Sequence, residues 1–330
     1  MAPPGPRPHS IRQQSGPVQS QLEAACRPSH PRVNQGVRLP NHGLLHGQEA
    51  DGAPSNVALR NLAFFKHAVR SFVSLTKLTE LDVSRSELDS DLLTGIDQLL
   101  LLEKLNLAFC DLTKLPFRFD SLINLRELDI SHNKLDSDSL AGIDNLALLE
   151  TLNLSSCDAT KPPFKFDSLP KLKELDVSYN KFDCDSHVDI GKLGFLEKLN
   201  LHFCNLRKLP FRFDSVNNLK ELDVGENKLA SEFFNDIEKL VSLRKLNLSR
   251  CELTKLPFCF DSLTKLKELK VSGNKLDSGS LAGIDKIALL ETLNLSSCDL
   301  TKLPFRYSKK LCDLLNQLTG VGPCMNTNPG

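Results

Sequence analysis

Apolar and polar residues alternate in ten short segments between residue 78 and about residue 307. Five segments read ELDVSRSEL, ELDISHNKL, ELDVSYNKL, ELDVGENKL and ELKVSGNKL, starting at Glu80, Glu127, Glu174, Glu221 and Glu268. The other five read KLNLAFCDL, TLNLSSCDA, KLNLHFCNL, KLNLSRCEL and TLNLSSCDL, starting at Lys104, Thr151, Lys198, Lys245 and Thr292. A two-residue period puts Leu and Val on one face and polar residues on the other, which predicts a strand in each segment. The two kinds alternate in steps of 24 and 23 residues, so the full period is 47 residues.

The segments share the pattern L-x-x-L-x-L-x-x-N/C-x-L, and the matching residues include Leu125, Leu128, Ile130, Asn133 and Leu135 in one rung, and Leu149, Leu152, Leu154 and Cys157 in the next. This pattern resembles the leucine-rich repeat family. The resemblance implies an α/β solenoid shaped as a horseshoe, with a parallel concave sheet of about ten strands. It also implies a turn at each Asn or Cys and a short helical or extended return on the convex side. By repeat length alone, the chain is similar to intracellular animal scaffolds such as Shoc-2.

The sequence before the repeats predicts a tail and a cap. Residues 1–56 are rich in Pro, Gly, Gln and His and hold few large apolar residues, so we expect a disordered tail. Over residues 57–72, apolar residues recur at helical spacing behind Ser55 or Asn56 as an N-cap, and these residues are Leu59, Leu62, Phe65, Val69 and Phe72. This spacing predicts an amphipathic capping helix over 57–72.

After the repeats the period breaks at Lys310, where the preceding rungs predict Leu. The run KKLCDLLNQL then predicts a helical C-terminal cap over 308–318. The leucine-rich repeat domain is therefore expected to span 57–320, with ten repeats over 78–307 and a flexible tail over 321–330.

Charge and hydropathy limit the partners and the location. The 41 basic and 41 acidic residues cancel, so no overall field attracts nucleic acid or an anionic membrane. The chain has no apolar run near the ~18 residues of a membrane span, and its first residues lack the apolar core of a signal peptide. We therefore expect a cytoplasmic monomer that binds another protein, with no nucleic acid and no membrane span.

Five cysteines recur every 47 residues, at Cys110, Cys157, Cys204, Cys251 and Cys298. The family resemblance implies that the Asn or Cys after each strand turns inward and binds backbone groups of the loop. Two rungs separate successive cysteines by roughly 9 to 10 Å, beyond the ~7 Å Cα limit for a disulfide and too far for one metal ion. This cysteine ladder is therefore predicted to be buried, reduced and structural.

The two residues just before each turn can be compared between repeats, and this comparison predicts a binding site. Small residues predominate there, so the aromatics Phe109, Tyr179 and Phe203 stand out. Exposed aromatics and Arg are typical of interface hot spots. The predicted partner site on the concave rim comprises Phe109, His132, Tyr179, His202, Phe203, Glu226 and Arg250. The alternative is that these rings lie flat on neighbouring rungs and only add packing.

Two columns of strand residues carry alternating charge. Opposite charges on adjacent strands support the sheet, which explains the Glu and Lys checkerboard. The next outward column alternates Asp and Asn up to Lys270, giving a mildly acidic stripe. This stripe either faces a basic ligand or is a solvated face.

No phosphate-binding loop, H-E-x-x-H or paired C-x-x-C motif occurs, so the sequence predicts no enzyme, cofactor or metal site. The predicted function is a scaffold or adaptor that binds a protein on its concave face, in intracellular signalling. One alternative is an extracellular receptor or decoy ectodomain, although sugars at the sequons of Asn153, Asn247 and Asn294 would then cover the concave strands. Another is a truncated sensor region of a larger signalling enzyme.

Overall fold

The computed structural model describes residues 56–58, 75–88, 90–160, 168–182, 193–207, 216–229, 237, 239–256, 261–281, 283–298 and 300. Eleven strands form one sheet in chain order, and every pair of neighbours is parallel. The strands are β1 Asn56–Ala58, β2 Glu80–Asp82, β3 Lys104–Asn106, β4 Glu127–Asp129, β5 Thr151–Asn153, β6 Glu174–Asp176, β7 Lys198–Asn200, β8 Glu221–Asp223, β9 Lys245–Asn247, β10 Glu268–Lys270 and β11 Thr292–Asn294. The ten strands predicted from the repeats are β2 to β11, as expected.

Each rung enters the sheet at the same register as its neighbours. Leu81 of β2 pairs with Leu105 of β3, and Leu105 pairs in turn with Leu128 of β4. The middle residue of each repeat strand is buried, while the two residues beside it are half-buried or exposed. Because the register does not shift, a position that recurs in the sequence becomes a continuous column in the molecule.

The core consists of stacked apolar columns beneath the sheet. The residues three before each central strand leucine are buried, and so are the residues two after it over β2 to β10. The first column consists of Leu78, Leu102, Leu125, Leu149, Leu172, Leu196, Leu219, Leu243, Leu266 and Leu290. This core accounts for the strict Leu spacing, because every rung contributes the same shape to the same layer.

In the described residues the returns on the other side of the sheet are short 3₁₀ segments. They span Ser90–Leu93, Ile96–Gln98, Phe119–Ser121, Ser137–Leu140, Ile143–Asn145, Ser278–Leu281 and Ile284–Lys286. Gly142 initiates one of them at φ 91°, and a Cβ there would come 2.7 Å from the backbone nitrogen of Asp120. Glycine is therefore required at this position both by the backbone conformation and by the neighbouring rung.

The predicted N-terminal boundary is wrong at its first residues. Asn56, Val57 and Ala58 form β1 against Glu80, Leu81 and Asp82, so no helix begins at residue 57 and the predicted tail does not extend to 56. Without β1, the edge of β2 would present unpaired N–H and C=O groups. The stabilisation from pairing them with β1 is larger than the local preference of these residues for a helix. The Asn56 side-chain amide also donates to the Glu80 carboxylate. Residues 1–55, 59–74 and 301–330, which hold the rest of the predicted tails and both predicted helical caps, lie outside the described residues.

Candidate functional site

The residue that ends each repeat strand segment adopts a left-handed backbone conformation. We call these ten residues the rim column; their φ angles lie between 53° and 68°, and they are Arg85, Phe109, His132, Ser156, Tyr179, Phe203, Glu226, Arg250, Gly273 and Ser297. All of them except Ser297 donate their backbone N–H to the next rung, as in the bonds from Phe109 N to Ser131 O (3.0 Å) and from Tyr179 N to His202 O (2.8 Å). Left-handed residues are usually Gly or Asn, so the aromatic side chains here are not explained by backbone preference.

The predicted aromatic residues are exposed at this rim. The exposed fractions are 42% for Phe109, 51% for Tyr179 and 49% for Phe203. We call Phe109, His132, Tyr179 and Phe203 the rim strip. Its rings also contact each other: Phe109 stacks on His132 with centroids 3.8 Å apart, and Tyr179 lies 5.7 Å from Phe203. Each ring thus packs on a neighbour and still presents about half its surface to solvent.

Arg85 and Ser156 complete the geometry of the rim strip. The Arg85 guanidinium carbon lies 4.7 Å from the centroid of the Phe109 ring, within the range of a cation–π contact. Ser156 lies between the ring pair Phe109–His132 and the ring pair Tyr179–Phe203. The strip therefore consists of two pairs of aromatic rings separated by a small residue. Arg85 was not among the predicted site residues, although its place in the same repeat column as Phe109 could have identified it.

The two histidines of the predicted site have different surroundings. His132 is exposed at the rim, and partial burial is the main cause that lowers its pKa. For His202, burial acts to lower the pKa, but the hydrogen bond with Asp223 (3.2 Å) and the nearby carboxylates outweigh it and raise the pKa. Burial acts to raise the pKa of Asp223, but the hydrogen bonds from His202 and Asn247 outweigh it, so the pKa is lowered overall. His202 and Asp223 therefore form a partly buried pair beneath the aromatic rings.

Glu226 and Arg250, the other predicted rim residues, pair with each other. Their side chains lie 3.2 Å apart, with the Arg250 side chain 70% exposed. Arg250 also covers the next rung, because a Cβ on Gly273 would come 2.7 Å from its Cγ. These two residues follow the rim strip in the rim column and form an exposed ion pair, a kind of contact that contributes little to stability.

The third residue of every repeat strand except β10, where it is Lys270, caps the following turn. In β6, Asp176 Oδ1 accepts hydrogen bonds from the backbone N–H of Ser178 (2.9 Å) and from its hydroxyl (2.6 Å). In β7, Asn200 Oδ1 accepts from His202 N (3.0 Å), while its Nδ2 donates to Asp176 Oδ2 (2.8 Å). The Asp and Asn stripe thus has a structural role as a series of Asx turns. Its carboxylates still carry negative charge at the concave face.

Charges at the first strand position form the predicted checkerboard. Lys104 pairs with Glu127 (2.9 Å), Lys198 with Glu174 (2.7 Å) and Lys245 with Glu221 (3.0 Å), in each case across neighbouring strands. Over β5 to β10 the sheet face is concave and borders an open hollow of about 500 Å³ lined by these columns. Lys270, which replaces Asp in the third column, pairs with Glu268 of its own strand at 2.6 Å.

Asparagine and cysteine alternate in a buried ladder just behind the rim. Asn180 Oδ1 accepts from Cys157 N (3.0 Å) and Ala159 N (2.9 Å), and its Nδ2 donates to Leu154 O and Val177 O, both at 2.9 Å. Each cysteine thiol donates to the carbonyl 27 residues before it, for example Cys204 Sγ to Val177 O at 3.2 Å. The other three asparagines of the ladder are Asn133, Asn227 and Asn274.

The five ladder cysteines are all free thiols, of which the first four are buried and Cys298, on the last described rung, is half-buried. Burial raises the pKa of the Cys157 thiol to about 11 and the pKa of Cys204 and Cys251 to about 12. At neutral pH these thiols are protonated donors that hold the loops in place, and thiolate chemistry is disfavoured.

Two family models match the repeats: Leucine Rich repeats (2 copies) over residues 241–283 and Leucine Rich Repeat over residues 124–146. The parallel sheet, the buried Leu columns and the Asn/Cys ladder agree with these matches. The chain contains leucine-rich repeats. A search of curated protein sequences finds no match.

Solved structures share the leucine-rich repeat fold at low sequence identity. The functional domain of InlJ from Listeria monocytogenes, which includes a cysteine ladder, has a TM-score of 0.58 and 20% identity, covering 79% of this chain and 57% of that one. TLR13 in its complex with ssRNA13 has a TM-score of 0.54 and 23% identity over 74% and 36% of the two chains. The mouse RP105/MD-1 complex gives 0.54 and 23% over 80% and 49%. This chain thus spans less than two thirds of each of these three, and the likeness concerns the fold alone.

The described part of this leucine-rich repeat protein exposes the rim strip and the concave face of the sheet. Within it, no group of three or more His, Cys, Asp or Glu side chains is placed to hold a metal ion. Of the side chains described, the His202 ring is hydrogen-bonded to Asp223 and to no hydroxyl or thiol nucleophile. A search of the same residues finds no helix with the length and apolar character needed to cross a bilayer.

Proposed function

We propose that this leucine-rich repeat protein is a non-catalytic scaffold or adaptor that holds a protein partner on its concave sheet and rim strip. Leucine-rich repeat domains generally mediate protein–protein interactions, and this is the coarse function of the fold. The observation that carries the proposal is the exposure of Phe109, Tyr179 and Phe203 in one column, at left-handed positions where folding alone favours Gly or Asn.

The experiment compares folding and binding in the same variants. Phe109→Ser, Tyr179→Ser and Phe203→Ser each introduce the residue that occupies the same column at Ser156 and Ser297. Because the rings are half-exposed, each change should cost about 1 kcal/mol of unfolding free energy or less, the value of a ring contact. Capture of the partner from cells should weaken by roughly 1 to 3 kcal/mol, as for interface aromatics.

Ser156→Ala serves as the control, because Ser156 lies between the two ring pairs and its substitution removes no ring. Loss of about 3 kcal/mol or more of stability in the aromatic variants would mean that the rings are core, as the packing alternative holds. Unchanged stability together with unchanged capture would move the site away from the rim strip.

We also propose that the protein acts inside the cell, in signalling. The sequon asparagine Asn247 supports this location, because its Nδ2 donates to Asp223 (2.8 Å) and its Oδ1 accepts from Ser249 N (3.0 Å). A glycan on this nitrogen would compete for the first hydrogen bond and cover the concave face. Cell fractionation should find the protein in the cytosol, with no change in mobility after enzymatic deglycosylation. A mobility change would favour the extracellular alternative.

A further inference from the structure

We propose that residues 39–45 of this chain dock on an apolar patch at the edge of the sheet opposite the rim strip. We call this patch the N-edge patch, and it consists of Leu100, Leu101 and Ile123. These residues precede β3 and β4, whereas the rim strip follows the ends of the strands. The inference goes beyond the proposed function, because it concerns a different surface and an occupant that belongs to the chain itself.

The N-edge patch is formed by the central residues of two turns. Each of the strands β2 to β11 is preceded by such a turn, in which a buried core leucine donates its backbone N–H to the carbonyl three residues earlier, for example Leu102 N to Leu99 O at 3.0 Å. In three of the ten turns both central residues are polar, and these pairs are Thr76–Lys77, Asn217–Asn218 and Thr264–Lys265. Polar residues are typical of turns, so the turn itself does not require Leu100 and Leu101.

The N-edge patch is exposed and continuous across two neighbouring rungs. Leu100 is 55% exposed, Leu101 51% and Ile123 58%. The Asn124 side-chain amide donates to Leu100 O (2.7 Å), which holds the two turns side by side. The other exposed large apolar residues at this edge are two rungs apart from one another, and they are Phe195, Val241 and Leu289. Among the turns that the structure describes, exposed large apolar side chains therefore form a continuous surface only beside β3 and β4.

The position of β1 brings the N-terminal part of the chain to the same edge. All eleven strands are parallel, so Asn56, the first residue of β1, lies at the edge where the other strands also begin. Two strand spacings separate β1 from β3 and three separate it from β4, which is ~10 and ~14 Å. Leu45 precedes Asn56 by eleven residues, and a chain of this length spans up to ~36 Å. Leu45 can therefore reach the N-edge patch while β1 stays in the sheet.

The composition of the segment matches an apolar surface. Within residues 1–55, Leu44 and Leu45 are the only two large apolar residues that are adjacent in sequence, and Leu39 lies five residues before them. Residues 39–48 contain no Asp, Glu, Lys or Arg. Burial of these leucines therefore requires no charge of the segment to leave water.

The charges around the N-edge patch do not select a charged occupant. Six charged residues lie within two positions of the two turns, four acidic and two basic. Four of the six form ion pairs, and these pairs are Lys104–Glu127 (2.9 Å), Arg126–Glu150 (2.9 Å) and Arg118–Asp120 (2.6 Å). The other two are Asp97 and Glu103. Because both signs are present and most of these charges are paired, apolar contact is the main attraction that the patch offers.

The area of the N-edge patch favours a tethered segment over a second protein. Three side chains that are about half exposed offer on the order of 300 Å² of apolar surface. A stable protein–protein interface buries ~800 Å² on each partner. A segment joined to the same sheet has a high effective concentration at the patch, so a small contact suffices to hold it.

The test uses light-activated crosslinking in the full chain. The photoreactive residue p-benzoylphenylalanine replaces Leu45, and mass spectrometry locates the residues to which it attaches. We expect attachment within residues 99–102 and 122–125. The double change Leu101→Ser with Ile123→Ser should lower the yield of these crosslinks about tenfold, equivalent to ~1.4 kcal/mol, because two apolar side chains are lost from the contact.

Phe195→Ser with Val241→Ser is the matched control. Both residues are exposed at the centres of turns on the same edge, but they lie on distant rungs. Their substitution should leave the crosslink yield unchanged, and circular dichroism should show both double variants folded. A segment that is docked about ten times more often than it is free changes the melting temperature little, so the readout has to be local.

The outcomes separate the possible occupants of the N-edge patch. Equal yields in the two double variants, or crosslinks spread along the whole array, would overturn the proposal. A crosslinked dimer whose yield falls on dilution would assign the patch to a second copy of the chain and would overturn it as well. Leu44→Ser in the chain that carries the photoreactive residue should also lower the yield, and an unchanged yield would show that the leucine pair does not dock. None of these results depends on capture of a partner at the rim strip.

Discussion

Replacing Asn180 with Ala tests whether the buried asparagines or the cysteines between them hold the loops of this solenoid. Asn180 is 1% exposed and binds five backbone groups: Cys157 N and Ala159 N donate to its Oδ1, and Leu154 O, Val177 O and, at the longer distance of 3.3 Å, Ser178 O accept from its Nδ2. Alanine would remove this partner from all five groups. By contrast, Cys204→Ala removes one thiol donor to Val177 O at 3.2 Å and a weaker contact to its own loop.

The expected magnitude follows from these contacts. A buried backbone group that loses its partner costs ~1 to 3 kcal/mol. Two of the five groups keep another donor, because the Cys204 thiol donates to Val177 O and Ser156 N donates to Ser178 O. Water entering the vacated volume satisfies part of the demand of the other three groups, so we take the lower end for each, which gives about 3 kcal/mol. Cys204→Ala loses a weak donor and a small side chain, so we expect a cost of about 1 to 2 kcal/mol.

Urea denaturation followed by circular dichroism measures both variants against the parent, with Ser156→Ala as the surface control. Native-state hydrogen exchange adds a local readout, since the amide protons of Cys157 and Ala159 should exchange faster in the Asn180 variant. Equal loss of stability in the two variants, or unchanged exchange at these two amides, would show that the buried asparagines are not what holds the loops.

Four other expectations concern separate parts of the molecule. A thiol reagent should label Cys26 much faster than the cysteine ladder under native conditions, because burial raises the pKa of the ladder thiols; rapid labelling of the ladder would contradict its structural role. Ser156→Gly should raise the unfolding free energy by about 0.5 kcal/mol, since relief of the left-handed cost exceeds the entropy lost on fixing glycine, and a urea titration that shows a loss would contradict this. Because the pKa of His202 is raised, its stabilising contribution is complete below the unfolded value near ~6.5 and is lost as the pH rises through the folded value. Urea midpoints should therefore fall from about pH 6 to about pH 8 more in the parent than in His202→Gln. Deletion of residues 1–50 should leave the melting temperature nearly unchanged, whereas deletion of 1–58 should lower it by removing β1.

The periodic part of the fold could be predicted because each rung repeats one physical solution. The Leu spacing predicts the strand, the buried face and the direction of stacking, so β2 to β11 lie where the sequence places them. The same alignment of repeats predicts which rim residues are large, and Phe109, Tyr179 and Phe203 are exposed in the structure. Repetition supplies this information without any related sequence, since the chain contains ten versions of each position.

Features that depend on a single contact between rungs could not be predicted. Val57 and Ala58 follow a helical apolar pattern, but the open edge of β2 places them in a strand. Asp176 and Asn200 look like a charged stripe in sequence, and their Asx-turn bonds to Ser178 and His202 become visible only when the turn geometry is known. The local sequence pattern specifies the structure of one rung. The ends of the array and the hydrogen bonds between columns depend instead on contacts with neighbouring rungs.

The rim column holds both small residues, which the fold accepts, and large aromatic residues, which folding alone does not require. Its left-handed φ recurs on all ten rungs, and this conformation costs non-glycine residues about 1 kcal/mol. The stack of Phe109 on His132 recovers part of this cost, as does the contact between Tyr179 and Phe203. Gly273 and Ser297 show that the fold accepts small residues at the same position. Small residues suffice at this position, and the large rings that occupy it remain about half exposed. They therefore add apolar surface to the rim and little volume to the core. Such surface contributes its full binding free energy only when a partner covers it.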